Sequence, residues 1–420
     1  MKDTLSPKYG PYLPPSARLT QEGPEGIRYD YNDGVRVSVP ARSGRRWRVT
    51  LRDLDTSTIV YCAEIEQGLV TSTKKYFVRF SLQVIDIADG EPERVVLEHD
   101  YDASDRQILI QVPVGTLGDV LAWFPYAAKF SRRHGARVVC MVSGVFIPLF
   151  ANAYPEIIFK TREEVEAEAI TGSVYATYRL GLFFQDESCE HQPTDFRFVG
   201  LHKTAGYILG VDVSEERPRI VIEDDTRPLA EPYVCVAVQS STQCKYWNNP
   251  YGWRDVISFL KKRGYRVVCI DRETVYGSGT MWNHIPHGVE DQTGNRPLAE
   301  RVRWLKHAEF FIGTSSGLAW LAWAAGSPVV MISGFTHPTN EFYTPYRVIN
   351  WHSCNSCWND PKHQFDHKNF LWCPRHAGTE RQFECSRLIS SEHVIRTIEQ
   401  LIQNERPISA PVKNLMEGTA

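Results

Sequence analysis

The 420-residue sequence is notable first for features that it lacks. No window approaches 18 apolar residues without a charge, which excludes a membrane-spanning helix. The net charge is only −3, with both signs interspersed, so nothing in the charge indicates nucleic-acid binding. The first residues, 1–7, have no apolar stretch after their lysine, and we therefore expect no export signal and a cytoplasmic protein. Internal repeats and low-complexity tracts are also missing.

The ten cysteines have the most specific spacing in the chain. Without an export signal they indicate a reducing compartment, where metal sites are more common than disulfides. Four of them form the pattern Cys354-x2-Cys357-x15-Cys373-x11-Cys385. Four thiols can converge on one tetrahedral ion, either zinc or iron, and would leave no position open for catalysis. We therefore predict a structural metal finger at 351–388; four unrelated buried cysteines are the alternative.

The first region, 1–106, has the pattern of an all-β domain. Segments 36–40, 47–52 and 76–84 alternate apolar and polar residues, as half-buried antiparallel strands do. It contains no cluster of catalytic residues. We expect it to serve protein contact, either self-association or partner docking, or else to be a passive lid on the next domain.

The rest of the chain alternates strands and helices in two series. The region 107–224 gives strand, loop, helix and strand, and 225–420 repeats the alternation after a Pro-rich and charged stretch at 217–232. The strands lose alternation because both faces are buried. This pattern predicts an α/β fold with two Rossmann-like domains facing a cleft, in which ligands bind at the carboxyl ends of the strands.

The loop 114–119, between a strand and a helix, holds the candidate catalytic residue. Its two glycines let the backbone approach a ligand closely. Asp119, at the start of the helix, has the chemistry of a general base that removes a proton from an acceptor hydroxyl. Capping of the helix is the alternative interpretation.

Two loops in the second half have the composition of a diphosphate site. Ser and Thr hydroxyls with Lys245 follow one strand, and a Ser-rich turn at 314–317 opens a helix. Glu273, after another strand, has the position of a ribose ligand. Each loop alone could be an ordinary solvated loop. The candidate residues for donor contact are Thr116, Gly118, Gln239, Ser240, Thr242, Lys245, Glu273, Thr314, Ser315, Ser316 and Gly317.

Two of these segments resemble family signatures. Val-Gly-Thr-Leu-Gly-Asp at 114–119 and Phe-Ile-Gly-Thr-Ser-Ser-Gly-Leu at 311–318, with Gly-Ser-Pro-Val-Val at 326–330, look like the motifs of ADP-heptose:lipopolysaccharide heptosyltransferases. The added β region and the four cysteines make the chain more similar to the bacterial autotransporter heptosyltransferases, and the resemblance then covers essentially the whole chain.

The resemblance implies a GT-B architecture, ADP-glycero-manno-heptose as donor, and serines of an autotransporter adhesin as acceptors. It also implies bound iron and a large homo-oligomer assembled partly through the β region. Asp119 would match the catalytic base and Lys245 the residue that steadies the diphosphate. Ser315 and Trp320 stand where the lipopolysaccharide enzymes carry an acid and a histidine, a difference that concerns the contacts to the donor sugar.

The expected reaction is an inverting transfer, in which Asp119 deprotonates a serine and Lys245 with the amides of 314–317 stabilises the departing ADP. Two other functions remain open at this point. One is a metal-stapled adaptor or chaperone for a secreted adhesin, without catalysis. The other is a hexosyltransferase that uses a different nucleotide sugar.

Overall fold

The structure of the protein is a computed structural model that describes residues 9–405. The first residues of the chain, where the sequence predicts no export signal, lie outside the described part. Within that part, no helix combines the length and the apolar character needed to cross a membrane.

Eight short strands form the N-terminal region as two antiparallel sheets. One sheet has the order β1-β2-β3-β6 and the other β5-β4-β7-β8. The strands are β1 (Gln21–Glu22), β2 (Arg28–Asp30), β3 (Arg36–Val39), β4 (Arg45–Asp53), β5 (Thr58–Ile65), β6 (Gly68–Thr71), β7 (Phe80–Ala88) and β8 (Arg94–Asp100).

Strand β4 illustrates how alternation builds this region. Trp47, Val49 and Leu51 are fully buried on one face, while the residues between them reach the surface. The predicted strand at 76–84 instead begins at Phe80. The residues before Phe80 are held against the first α/β domain by backbone hydrogen bonds. Lys75 N donates to Glu190 O at 2.7 Å, and Phe77 N donates to Ile208 O at 2.8 Å.

The N-terminal sheets are joined to the next domain through buried hydrogen bonds. Tyr31 N donates to Tyr175 O at 3.1 Å, and Thr177 N donates to Tyr31 O at 3.2 Å. The side chain of Asn32 donates to Val174 O at 2.9 Å and accepts from the Thr177 hydroxyl at 2.7 Å. A buried apolar core also runs continuously between the two domains. The β region is therefore an integral part of the first α/β domain's structure.

The first α/β domain contains a parallel sheet with the order β11-β10-β9-β12. Its elements are β9 (Gln107–Val112), α1 (Leu117–His134), β10 (Arg137–Val142), α2 (Ile147–Phe150), β11 (Ile158–Lys160), α3 (Arg162–Ala167), β12 (Ala176–Arg179), α4 (Phe196–Val199) and α5 (Leu201–Leu209).

The second α/β domain contains a six-stranded parallel sheet with the order β17-β14-β13-β18-β19-β20. Its elements are β13 (Tyr233–Ala237), α6 (Gly252–Lys262), β14 (Arg266–Cys269), β15 (Val275–Ser278), β16 (Met281–His284), β17 (Glu290–Asp291), α7 (Leu298–His307), β18 (Phe311–Thr314), α8 (Gly317–Ala325), β19 (Val329–Ile332), β20 (Arg347–Val348), α9 (Glu384–Arg387) and α10 (Ser391–Glu405). Strands β15 and β16 form a separate hairpin.

In both parallel sheets the order in which strands are added reverses beside the first strand, between β9 and β12 and between β13 and β18. Ligands of doubly wound sheets bind at such a point, outside the carboxyl ends of the strands. Helices α1 and α8 pack against each other between the two sheets. The loops that precede these helices therefore meet at one cleft.

The buried bidentate ion pair between Asp30 and Arg36 is expected to stabilise the β region, and removing one partner tests this. Its N–O distances are 2.6 and 2.7 Å, and both side chains are at least nine-tenths buried. We expect Asp30→Ala to lower the free energy of unfolding by about 3–5 kcal/mol, because the guanidinium is left buried without its partner. The urea unfolding curve of the full chain measures this. Asp55→Ala, which removes the partner of an exposed ion pair with Arg79, is the control and should leave the curve unchanged. Equal curves for all three proteins would contradict the prediction.

Candidate active site

A cavity of about 660 Å³ opens between the two α/β domains, a volume typical of a ligand pocket. The three loops singled out in the sequence meet there, together with the residues that follow β14. Ten of the predicted catalytic and donor-contacting residues line its wall: Thr116, Gly118, Asp119, Gln239, Ser240, Lys245, Glu273, Ser315, Ser316 and Gly317.

Asp119 contributes both to the helix start and to the cavity wall. Its Oδ2 accepts a hydrogen bond from Thr116 N at 2.5 Å, as part of a capping box in which Thr116 is the N-cap. Burial raises the pKa of this carboxyl, and the Thr116 amide, Lys245 and His367 oppose the rise. Asp119 therefore takes part in capping the helix, with Thr116 as the N-cap, and its carboxylate still faces the cavity. Its role as a general base stays a prediction.

Lys245 reaches the same cavity from a 3-10 turn at Gln243–Lys245 after β13. Burial lowers the pKa of its ammonium, while Cys244, Asp119 and Glu341 act in the opposite direction. The ammonium lies over three aromatic rings, with Nζ 5.3 Å from the ring centre of Phe335. A cation is therefore held in the cavity wall within electrostatic range of Asp119.

The loop after β13 is ordered by Asp271, which follows β14. This buried carboxylate accepts hydrogen bonds from Val238 N at 2.8 Å and Gln239 N at 3.3 Å. Burial raises the pKa of Asp271 to about 6. Glu273, two residues on, is exposed at the rim of the cavity. Asp271 is thus engaged in holding the loop, which leaves Glu273 as the carboxylate open to a ligand.

Two buried side-chain polar atoms of residues that line the cavity have no hydrogen-bond partner within residues 9–405. They are Nε2 of Gln239 and Oγ of Ser316. Buried polar groups in folded proteins are nearly always paired, so unpaired ones in a pocket wall indicate groups that a ligand would satisfy. Ser316 is also the N-cap of α8, where backbone amides favour an anion.

Thr242 and Thr314 differ from the expected arrangement, because the structure gives neither a surface in the cavity. Both side chains are about 99% or more buried. The Thr242 hydroxyl is paired with the Cys244 thiol at 3.2 Å. In this structure these threonines lie behind the loops rather than on their ligand-facing side.

Aromatic side chains of the cavity wall were not anticipated as site residues. Trp123, Phe184, Tyr276 and Trp358 line the cavity, as does His367. The sequence signal for them is the high aromatic content, 12% of residues, which is equally typical of core packing. No spacing rule marks an aromatic residue as a wall of a cleft between domains, because the neighbours come from distant parts of the chain.

The two signature loops touch across the cleft through their glycines. A Cβ at Gly118 would lie 2.8 Å from the indole of Trp320, and one at Gly317 would lie 2.8 Å from Cβ of Leu117. Both contacts are closer than any side chain tolerates. The glycines are therefore required for α1 and α8 to bring their first turns together.

The four predicted metal ligands surround one small cavity of about 20 Å³. In the described part of the chain, one group of three candidate ligand atoms lies within 4.8 Å of one another, and it belongs to Cys354, His376 and Glu384. Glu384 Oε1, however, already accepts hydrogen bonds from Cys354 N at 3.0 Å and from Arg381 at 2.7 Å. The four cysteines thus lie around one cavity, but the structure does not show which side chains would bind a metal. The four-cysteine site remains a prediction.

Comparison with known proteins supplies the family. The model described as Glycosyltransferase TibC, N-terminal domain, matches residues 23–88, and that of Glycosyltransferase family 9 (heptosyltransferase) matches 205–370. The autotransporter heptosyltransferase BAHTCr of Citrobacter rodentium is 51% identical over 93% of this chain and 92% of its own. The autotransporter heptosyltransferase TibC of Escherichia coli O78:H11 is 50% identical over 96% of this chain and 97% of its own. The chain belongs to the autotransporter heptosyltransferase family.

A crystal structure of TibC as a dodecameric iron-containing heptosyltransferase, in complex with ADP-D-β-D-heptose, superposes with a TM-score of 0.87. The match covers 93% of this chain and 100% of that one. The GT-B-like α/β fold with an N-terminal domain of strands is thereby confirmed, and the family makes the chain a glycosyltransferase. One relative, BimC of Burkholderia thailandensis, is described as an inactive autotransporter heptosyltransferase and is 47% identical over 93% of this chain and 89% of its own.

Gly118→Ala tests the contact between the two signature loops. We expect kcat/KM for sugar transfer to fall about ten- to a hundredfold, because the new methyl group displaces Trp320 and misplaces the facing helix starts. Gly172→Ala is the matched control, since a Cβ there meets nothing within 4 Å. Initial-rate kinetics with thermal unfolding as a folding check would measure the effect. Unchanged kinetics in Gly118→Ala would mean that the close approach is not needed for transfer.

Proposed function

We propose that the protein transfers heptose from ADP-glycero-manno-heptose to serine hydroxyls of an autotransporter adhesin. The observation that carries this proposal is the placement of Asp119, from the first α/β domain, and Lys245, from the second, in one cavity where each influences the other's charge. A proton acceptor and a fixed cation on opposite domains are the two groups that an inverting transfer requires.

The donor side of the cavity suits a nucleotide diphosphate. The unpaired Gln239 Nε2 and Ser316 Oγ and the amides at the start of α8 are hydrogen-bond donors, and Lys245 adds a positive charge. Glu273 at the rim is in position to accept from ribose hydroxyls. The complex of TibC with ADP-D-β-D-heptose supports the choice of donor.

In the proposed step one proton is transferred to Asp119 and one leaving group, ADP, departs. Asp119 takes the proton from the serine hydroxyl as its oxygen forms a bond to the anomeric carbon. The bond from that carbon to the phosphate oxygen breaks on the opposite face, and ADP leaves with the bonding electrons. Lys245 and the amides of 314–317 stabilise the negative charge that develops on the diphosphate. The sugar is therefore inverted at its anomeric carbon.

For the metal we propose the four thiols of Cys354, Cys357, Cys373 and Cys385, with iron as the ion and zinc as the alternative. Soft thiolates suit both metals, and the small cavity that the four residues line has room for a single ion. Glu384 is a poorer ligand because its carboxylate is occupied by Arg381. The description of TibC as iron-containing supports iron.

We further propose that the chain forms a large homo-oligomer through its β region and acts in the cytoplasm. Strand β5 is a sheet edge with exposed apolar side chains, including Ile59, Val60 and Tyr61, and such an edge favours pairing with another chain. TibC is described as dodecameric. None of the ten cysteines, all within residues 9–405, is paired in a disulfide, in keeping with a reducing compartment.

Asp119→Asn is the central test of the mechanism. The substitution keeps the size of the side chain and an oxygen for the capping bond, but it removes the proton acceptor. We expect kcat to fall by about 10²–10⁴-fold while ADP binding and thermal stability stay close to the original. In the original enzyme, kcat/KM should fall as the pH drops through a midpoint above the ordinary pKa of an aspartate, because burial raises the pKa of Asp119.

Mass spectrometry of an adhesin produced together with the protein separates the candidate functions. An added mass of about 192 Da per site indicates heptose and about 162 Da a hexose. No added mass would favour the adaptor function, which the inactive relative BimC makes a specific alternative. Normal transfer by Asp119→Asn would remove this residue from the mechanism.

Cys357→Ser tests the metal site. The buried thiol is one of the four that surround the small cavity, and we expect the metal content of the purified protein to fall towards zero when it is replaced. Cys62→Ser, which changes an exposed cysteine of the β region, should keep the original metal content. Elemental analysis of both variants measures the number of metal ions per chain and identifies the metal. A full metal content in Cys357→Ser would rule out the four-thiol site.

A further inference from the structure

Lys245 lies against a cluster of three aromatic rings, here called the aromatic cage: Phe335, Trp358 and Phe365. Its Nζ lies 5.3, 5.9 and 5.3 Å from their respective ring centres. These distances are within the range at which the face of an aromatic ring attracts a cation. The rings also contact one another, with centres 5.3–5.7 Å apart.

Two of the three rings come from the segment predicted to form the metal finger, residues 351–388, here called the cysteine finger. Trp358 and Phe365 both lie between Cys357 and Cys373, whereas Phe335 follows β19. Phe365 is 5% exposed and packs on Trp372 of the same segment, with ring centres 5.1 Å apart. The segment that gathers the thiols therefore also supplies a wall of the cavity.

Trp358 has contacts on both sides of the cleft. Its indole N–H donates to Asn340 Oδ1 at 3.1 Å, within the second α/β domain. On the other side its ring lies 5.9 Å from those of Phe184 and Phe196, in the first domain. The next residue, Asn359, donates to Arg197 O at 2.9 Å. The finger is therefore fixed to both domains at the place where it meets Lys245.

A buried ammonium costs free energy unless charge or ring faces compensate it. The burial that lowers the pKa of Lys245 is opposed by its chain neighbour Cys244 and by the carboxylates of Asp119 and Glu341. Neither carboxylate forms an ion pair with Lys245 in the described part of the chain; Glu341 is instead bonded to Arg347 and Thr336. The aromatic cage is thus the direct contact that holds the ammonium, and it leaves the N–H donors of Lys245 available to an anion.

We propose that the aromatic cage positions the Lys245 ammonium for the donor diphosphate, so that the cysteine finger forms part of the donor site. Trp358 and Phe365 are then positioning residues that act through Lys245. The proposal rests on the proposed function, which gives Lys245 its role toward the diphosphate. The competing explanation is that the rings only pack the finger's own small core.

A double-mutant cycle on ADP binding separates these explanations. Phe365→Leu keeps an apolar side chain but removes the ring face. We expect it to weaken ADP binding about three- to tenfold, as measured by titration calorimetry, and to leave AMP binding nearly unchanged. In a Lys245→Met background the same substitution should change ADP binding by less than about twofold, because the cation on which it acts is gone. Phe365→Tyr, which retains the ring, should restore the original affinity.

Two further variants control for damage to the finger. Trp351→Leu removes an exposed ring from the same segment, outside the cavity wall, and should leave ADP affinity and metal content unchanged. Phe335→Leu removes a ring of the cage that lies outside the finger. If Phe365→Leu loses metal or fails to fold, Phe335→Leu provides the same cycle, with the same expected loss and non-additivity.

Each outcome of the cycle is decisive. A loss of ADP affinity that is confined to the Lys245 background supports the positioning role. An equal loss in the Lys245→Met background, or no loss in either cage variant, overturns it in favour of packing alone. Unchanged ADP binding in Lys245→Met itself would instead contradict the role that the proposed function gives to Lys245.

Discussion

The packing of α1 against α8 is the constraint on which the site depends. Helix α1 follows β9 and α8 follows β18, and each of these strands lies where the strand order of its sheet reverses. Each helix is therefore preceded by a loop at the carboxyl edge of its sheet. Contact between the first turns places those loops face to face. Gly118 and Gly317 permit the contact because any side chain would meet the opposite helix. One carboxylate and one row of amides are thus brought together without residues adjacent in sequence.

The cavity formed in this way changes the charges that it contains. Burial alone favours the neutral form of both Asp119 and Lys245, and each opposes that effect in the other. A diphosphate beside Lys245 would restore the cation's preference for its charged form. A carboxylate with a raised pKa is also a better proton acceptor for a hydroxyl than a fully solvated one. In the proposed reaction, donor binding and proton transfer would therefore both depend on the exclusion of water from the cavity.

The sequence was sufficient for features that depend on local pattern. Alternation and strand–helix order predicted the β region and both parallel sheets, and glycine and hydroxyl residues at strand ends predicted the loops of the cavity. Long-range contacts decided the rest. Residues 76–79 lie outside the observed strand, and Phe77 N among them bonds to Ile208 O of the first α/β domain. The Thr242 hydroxyl is paired with Cys244 instead of facing the cavity. The aromatic wall was hidden for the same reason, since Trp358 meets its partners only after the two domains have come together.

The hydrogen bonds between residues 31–32 and the segment beside β12 have a mechanical consequence. They join the β region to the first α/β domain, above an apolar core that the two share. If strand β5 holds a subunit in an assembly, the domain that carries Asp119 would therefore be fixed to the neighbouring subunits. Any opening or closing of the cleft would then move the second α/β domain relative to a fixed Asp119.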